Sequence, residues 1–368
     1  MKKNKFIIGI IIIFIFIYIL ILNPTIYGEV NKIKNKIYGK TLNNKFEVKI
    51  KSGNLSTDYD VDQVLKDINK FKLNTINVPV AINIKDLSSS DMSVDKESEK
   101  KAVELIKKLR WKKINIILEP YPWIDNGRLY ETEWNPNDKK QFFGNWRNNV
   151  IKVLIDNIAV PYHVDALNVA SNFVYIENEE DEWCNTIDFA RKYYKGLITY
   201  RTCWWYTAHW DDKTKKDYEK KLNNKLFSKI DFISVAAYFE LIDKDTNRVE
   251  ELTNAISHVP KYDRKQNIKE ELYNFNKKWH KPIFFGELGF PRKNKAASEP
   301  WNPIPSNISN NKEQARCFEA YRRVFEKEPW FLGFSIFAIG ENSADKNFYP
   351  SEETEKVIRK WYSNSQSK

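Results

Sequence analysis

Cysteine is nearly missing from this chain of 368 residues, with only Cys184, Cys203 and Cys317 present. Three cysteines without close spacing make neither a disulfide framework nor a metal knot. Cys317, set among Ala315, Phe318 and Tyr321 in a helical pattern, reads as core. Histidine is as scarce, with four residues scattered at 163, 209, 258 and 280. There is no HExxH and no GxSxG, so metalloprotease and serine-hydrolase chemistry have no motif to rest on. No Gly-rich phosphate loop occurs, and Gly39-Lys40-Thr41 lacks the glycine five residues earlier that a P-loop needs. Basic Gly-rich or RNP-like segments are also missing. The net charge of +11 gathers at one end: residues 1–45 carry eight lysines against Glu29 alone, and the remainder has 52 bases against 48 acids. No nucleic-acid partner, metal site or cofactor is expected.

Hydrophobic residues make up 42% of the chain and aromatics 14%, ample for a sizeable core and incompatible with wholesale disorder. MKKNK precedes an uninterrupted apolar run from Phe6 to Leu22, which Asn23-Pro24 ends. Its seventeen residues sit at the short end of the ~17–25 that span a bilayer. Lysines ahead of it favour a cytoplasmic N-terminus and an exported remainder. A cleaved signal peptide is the rival, without a small-x-small site or a lipobox cysteine to support it. The expected organisation is a basic tip over 1–5, a transmembrane signal anchor over 6–22, a Lys/Asn-rich linker over 23–45 and a folded unit over 46–364. That unit would lie outside the cytoplasm, on the cell membrane.

From residue 46 onward, short apolar runs alternate with amphipathic helical patterns. The strand candidates are 46–50, 74–80, 114–120, 165–172, 196–205, 230–239, 282–290 and 331–338. Helical spacing follows each, including one stretch of helical material between about 249 and 280. Eight strand–helix units predict a (β/α)8 barrel, an α/β fold, rather than a doubly wound open sheet. No internal boundary and no sequence repeat interrupts it.

Barrel enzymes build their sites at the C-terminal ends of the strands. Those ends carry Pro79, Glu119 with Tyr121 and Trp123, Asn172, the run Cys203–Trp204–Trp205–Tyr206, Tyr238 and Glu287. Aromatic faces beside carboxylates suit a sugar, whose C–H faces stack on electron-rich rings. Cleaving a glycosidic bond then takes two carboxyl groups. Glu287 interrupts the apolar run PIFFGELGF (282–290), where a carboxylate is expensive unless something needs it. Glu119 reads as site lining or a loop salt bridge. Trp123, Trp204 and Trp205 are sugar platforms or rim packing, and Tyr238 lies between a site role and core.

FFGELGF, SVAAYF and the C-terminal FYPSEETEKVIRKWY make the chain resemble glycoside hydrolase family 113, the β-mannanase type of retaining barrel, from about residue 46 to 362. The resemblance implies that Glu287 is the nucleophile on strand 7 and Tyr238 the tyrosine near it. Strand 4 departs from the pattern. ALNVASNFVYIENEEDEW keeps the spacing to Glu177 and Trp183, yet Asn172 falls where the family's acid/base glutamate belongs and Ser171 where its preceding asparagine belongs. FSIFAIGEN on strand 8 also lacks the family's tryptophan. Three expectations follow. The acid comes from elsewhere, such as Glu119, Glu177 or Glu240; or the substrate has a leaving group that needs no proton; or the barrel binds a cell-surface glycan without cutting it.

Overall fold

A computed structural model describes residues 42–340 and 347–364. Eight parallel strands close into a barrel: β1 Ile50–Leu55, β2 Thr75–Ile84, β3 Asn115–Ile124, β4 Ala166–Ser171, β5 Leu197–Cys203, β6 Phe232–Ala236, β7 Ile283–Leu288 and β8 Phe331–Ile339. Each pairs with its sequence neighbour, β8 pairs with β1, and the Asn54–Asn77 register joins β1 to β2 and shuts the ring. The expected signal anchor and most of the linker fall outside the described residues. Among the described residues no helix is long and apolar enough to cross a membrane.

Outside the ring run α1 Val61–Phe71, α2 Lys96–Trp111, α3 Lys139–Asn145, α4 Glu180–Tyr193, α5 Asp212–Asn223, α6 Val249–Ser257, α7 Ile268–Trp279, α8 Asn311–Phe325 and α9 Glu352–Asn364. Aspartates start the first two helices: Asp60 accepts from Gln63 N at 2.7 Å and Asp95 from Ser98 N at 2.8 Å. The helical material expected between 249 and 280 is two helices, parted by a loop through Pro260. A short strand, Met92–Val94, pairs antiparallel with the end of β2.

Both faces of a parallel barrel strand are covered, one by helices and one by the opposite wall. The lower interior is an apolar plug of Ile50, Ile117, Ala166, Leu197, Phe232, Phe284 and Leu332. Above it the inward positions turn polar, and this change defines the functional end. The first strand starts four residues later than expected. Phe46 and Val48 mimic strand alternation, but Phe46 has φ 48° and seals the plug from below, its ring 6.0 Å from Phe232. Val48 is exposed. The true strand, IKSGNL, hides its identity because it points Ser52 and Asn54 inward.

β2 and β3 run ten residues each, whereas β4 and β7 run six. Their overhang makes a wall above the barrel mouth. Register shifts within β4, between Asn168 and Ser171, and within β7, between Phe285 and Glu287, insert one extra residue each. Such bulges re-aim side chains at a strand end, and both lie immediately before the residues that face the mouth.

Candidate active site

Arg201 on β5 organises the polar interior. Its guanidinium donates to Glu287 Oε1 at 2.7 Å through Nη1 and to Glu119 Oε1 through Nη2. Glu119 also accepts from Asn77 Nδ2 at 2.6 Å and, more weakly, from Asn168 Nδ2 at 3.5 Å. Asn77 in turn accepts from Ser52 Oγ at 2.6 Å. Two carboxylates therefore share one buried cation, which is how buried charge becomes tolerable. Burial opposes the Arg201 charge, but Glu119 and Glu287 outweigh it and hold its pKa above the usual value. Burial pushes the Glu119 carboxyl upward despite Arg201.

The glycines of FFGELGF make room for this arrangement. A Cβ at Gly286 would collide with Ser234 Oγ and lie 2.6 Å from Arg201 Nε. A Cβ at Gly289 would sit 2.5 Å from the Phe337 carbonyl oxygen at the end of β8.

Asn172 follows β4 with φ 59°, a left-handed conformation that asparagine tolerates better than most residues. Its backbone N–H still bonds Arg201 O at 3.0 Å, continuing the ladder. Its side chain reaches Glu287 Oε1 at 3.4 Å and Glu131 Oε1 at 3.2 Å, both through Nδ2. The carbonyl oxygen Oδ1 is buried and has no hydrogen-bond partner.

Glu131 was not among the residues that the sequence suggested. It lies in a single turn, Glu131–Glu133, on the loop after β3, between exposed Tyr130 and buried Trp134. Burial, then the charge of Glu287, pushes its carboxyl up to about 6. The only sequence signal is a glutamate three residues before a tryptophan in GRLYETEWNP, a stretch that otherwise reads as a solvated acidic loop.

The structure brings together Glu287, Asn172, Glu119 and, through ring packing at the mouth, Tyr238 and Trp204. The Tyr238 ring lies 5.5 Å from Trp204, 5.8 Å from Phe337 and 6.5 Å from Phe348. Phe337 stands on the strand that lacks the expected tryptophan. Trp123 lies on the overhang of β3, where it lines a groove of about 1150 Å³ with Asn83 and Asp95, a groove whose lining includes none of Glu287, Asn172, Glu131 or Glu119. Gly127, at φ +79°, lies flat against its ring, and a Cβ there would be 2.5 Å from the indole.

Trp205 takes the packing alternative of the two expected for it. It is buried between the barrel wall and the helices, stacked on Tyr218, with Nε1 donating to Glu271 on α7 at 2.8 Å. Successive strand-end residues face opposite sides, so Trp204 and Trp205 part company. Glu177 is likewise outside the ring, where it accepts from Thr202 Oγ1 at 2.7 Å and pairs with Lys221. Glu240 pairs with Arg264 at 2.9 Å. Neither hydrogen-bonds to the group around Glu287. Cys203 is buried, and burial pushes its thiol pKa up. Among the described residues no group of three or more His, Cys, Asp or Glu is placed to hold a metal ion.

The sequence model of Glycoside Hydrolase Family 113 matches residues 45–357. Among solved structures, a GH113 β-1,4-mannanase superposes with TM-score 0.64 at 20% identity, covering 86% of this chain and 99% of that one. The GH113 β-mannanase AaManA from Alicyclobacillus acidocaldarius, in complex with ManMIm, gives 0.67 at 16% identity over 87% and 99%. A β-glucuronidase from Bifidobacterium dentium gives 0.52 at 12% identity over 85% of this chain and 46% of that one. At these identities the likeness establishes a shared barrel. No curated protein matches the sequence significantly.

Proposed function

The chain belongs to glycoside hydrolase family 113, and from that membership together with the apolar run Phe6–Leu22 we propose a membrane-anchored, extracytoplasmic hydrolase acting on a cell-envelope or extracellular polysaccharide. The observation that carries the reading is Glu287 at the C-terminal end of β7, held through Oε1 by Arg201 and Asn172 beneath an aromatic mouth. In a retaining reaction, a Glu287 oxygen attacks the anomeric carbon while the glycosidic C–O bond breaks. Water then displaces Glu287 from the same carbon, so the configuration is restored. Arg201 fixes the carboxylate before the substrate arrives, and preorganised groups of this kind need no reorganisation during reaction. Tyr238, Trp204 and Phe337 supply ring faces at the mouth. The β-mannanases of similar fold make β-mannosides the first substrates to try.

A second reading, a barrel that binds glycan without cleaving it, draws on the amide at 172, since an amide cannot protonate a departing alkoxide. One panel of activated aryl β-glycosides, offered to the full-length chain beside Glu287→Gln, separates the two. The hydrolase reading expects turnover that Glu287→Gln abolishes. Saturable glycan binding without turnover, unchanged in Glu287→Gln, would favour the binder. The anchored location rests on the Phe6–Leu22 run. It expects the full-length protein to sediment with membranes and resist a carbonate wash, and recovery in the wash would contradict it.

A further inference from the structure

We infer that Glu131 is the general acid/base of this site, displaced from the tip of strand 4 to the loop after strand 3. The inference deepens the hydrolase reading and rests on it.

The geometry begins at one nitrogen. Asn172 Nδ2 lies 3.2 Å from Glu131 Oε1 and 3.4 Å from Glu287 Oε1. The two carboxyl oxygens are therefore no farther apart than the sum of those distances. Retaining glycosidases hold their two carboxyl groups ~5–5.5 Å apart, a span that fits under this bound. Neither Glu177 nor Glu240 is bonded to this group, since Lys221 and Arg264 occupy them elsewhere. Glu119 is inside the barrel, but its Oε1 already serves Asn77 and Arg201.

Glu131 is also held in place, as a proton donor must be. The N–H of Trp134 closes its turn on Glu131 O at 3.2 Å. The Trp134 indole is fully buried and bonds Ser89 O at 3.0 Å. Its ring packs 5.3 Å from Phe173, the residue after Asn172. A single aromatic contact thus ties the loop that carries Glu131 to the strand end that carries Asn172. The tie explains the amide at 172. A glutamate there would crowd a third carboxylate against Glu131 and Glu287, whereas an asparagine bridges the two through Nδ2.

The steps balance as follows. Glu287 forms a bond to the anomeric carbon, the glycosidic C–O bond breaks, and the Glu131 proton passes to the departing oxygen. Water then attacks the same carbon, its proton returns to Glu131, and the bond to Glu287 breaks. The raised carboxyl, at about 6, keeps a proton available near neutral pH. Activity should accordingly fall as pH rises through that region.

The test compares full-length wild type, Glu131→Gln and Glu287→Gln on aryl β-glycosides whose phenols range from dinitrophenol to unactivated phenol. Circular dichroism checks that each variant is folded. Glu131→Gln should lose roughly 10²–10⁴-fold in kcat/KM on the poorest leaving groups, lose little on dinitrophenyl glycosides, and lose the basic limb of its pH profile. Added azide should accelerate its turnover of the activated glycosides and yield a glycosyl azide, because azide needs no general base. If Glu287→Gln is dead while Glu131→Gln works normally on every leaving group, Glu131 is not the acid and the hydrolase reading survives. A loss equal for all leaving groups, without azide rescue, assigns Glu131 a structural role and overturns the inference. Silence of the wild type on the whole panel removes both the inference and the reading beneath it.

Discussion

Glu131 and its neighbours show how single residues set the properties of this site. Burial and the Glu287 charge make the neutral form of Glu131 easier to hold than in an unfolded chain, moving its pKa from 4.5 to about 6. The folded state therefore keeps a proton that the unfolded state has lost. The stability this proton provides is complete below about pH 4.5 and disappears as pH rises through about 6. Glu131→Gln removes an unfavourable carboxylate at pH 8 and changes little at pH 4. The melting temperature of the variant should exceed that of wild type by roughly 2–4 °C at pH 8, and the two should converge in acid. A variant less stable at pH 8 than at pH 4, relative to wild type, would mean that the ionised carboxylate is the favoured form. Glu131 was hidden in the sequence because its loop looks solvated. Only the fold reveals that Trp134, three residues on, pins that loop beside Asn172. The place of Glu287 at a strand end was legible, because it interrupts an Ile/Phe run, whereas its buried partner Arg201 was not.

At the scale of elements, strand ends do the placing. The bulge in β7 carries Gly286, and the missing side chain leaves the space in which the Arg201 guanidinium meets Glu287 and Glu119. Gly286→Ala should push Arg201 aside, cost roughly 1–3 kcal/mol by overpacking and lower activity more than tenfold. Thermal melts and kinetics of that one variant check both, and an active, equally stable Gly286→Ala would show that Arg201 has another way to reach Glu287. The same polar interior explains what sequence patterning misjudged. Strands read well where their helix-facing residues are apolar, as in 282–290 and 331–338. β1 was misplaced because Ser52 and Asn54 break its pattern while Phe46 and Val48 imitate one. Trp204 and Trp205 could not be told apart without knowing which of two adjacent side chains faces the mouth.

Over the whole molecule, a plug of apolar side chains closes the N-terminal end of the barrel and leaves the opposite end polar, acidic and ringed by aromatics. The alternation of strands and helices made the barrel readable, because each strand–helix unit announces itself locally. The meeting of Glu131 with Glu287 around Asn172 was not readable, because a loop and a strand end come together there only when the ring closes. The anchoring proposed for the Phe6–Leu22 run would hold the barrel at a membrane surface. The central claim is that Glu287 attacks a sugar carbon, and covalent trapping tests it most directly. Full-length protein would be incubated with a set of 2-deoxy-2-fluoro β-glycosyl fluorides, β-mannosyl included, then digested and mapped by mass spectrometry. The account predicts one glycosyl adduct per chain, on the peptide containing Glu287, and none in Glu287→Gln. Turnover of β-glycosides by a protein whose adduct maps to any other residue would contradict it.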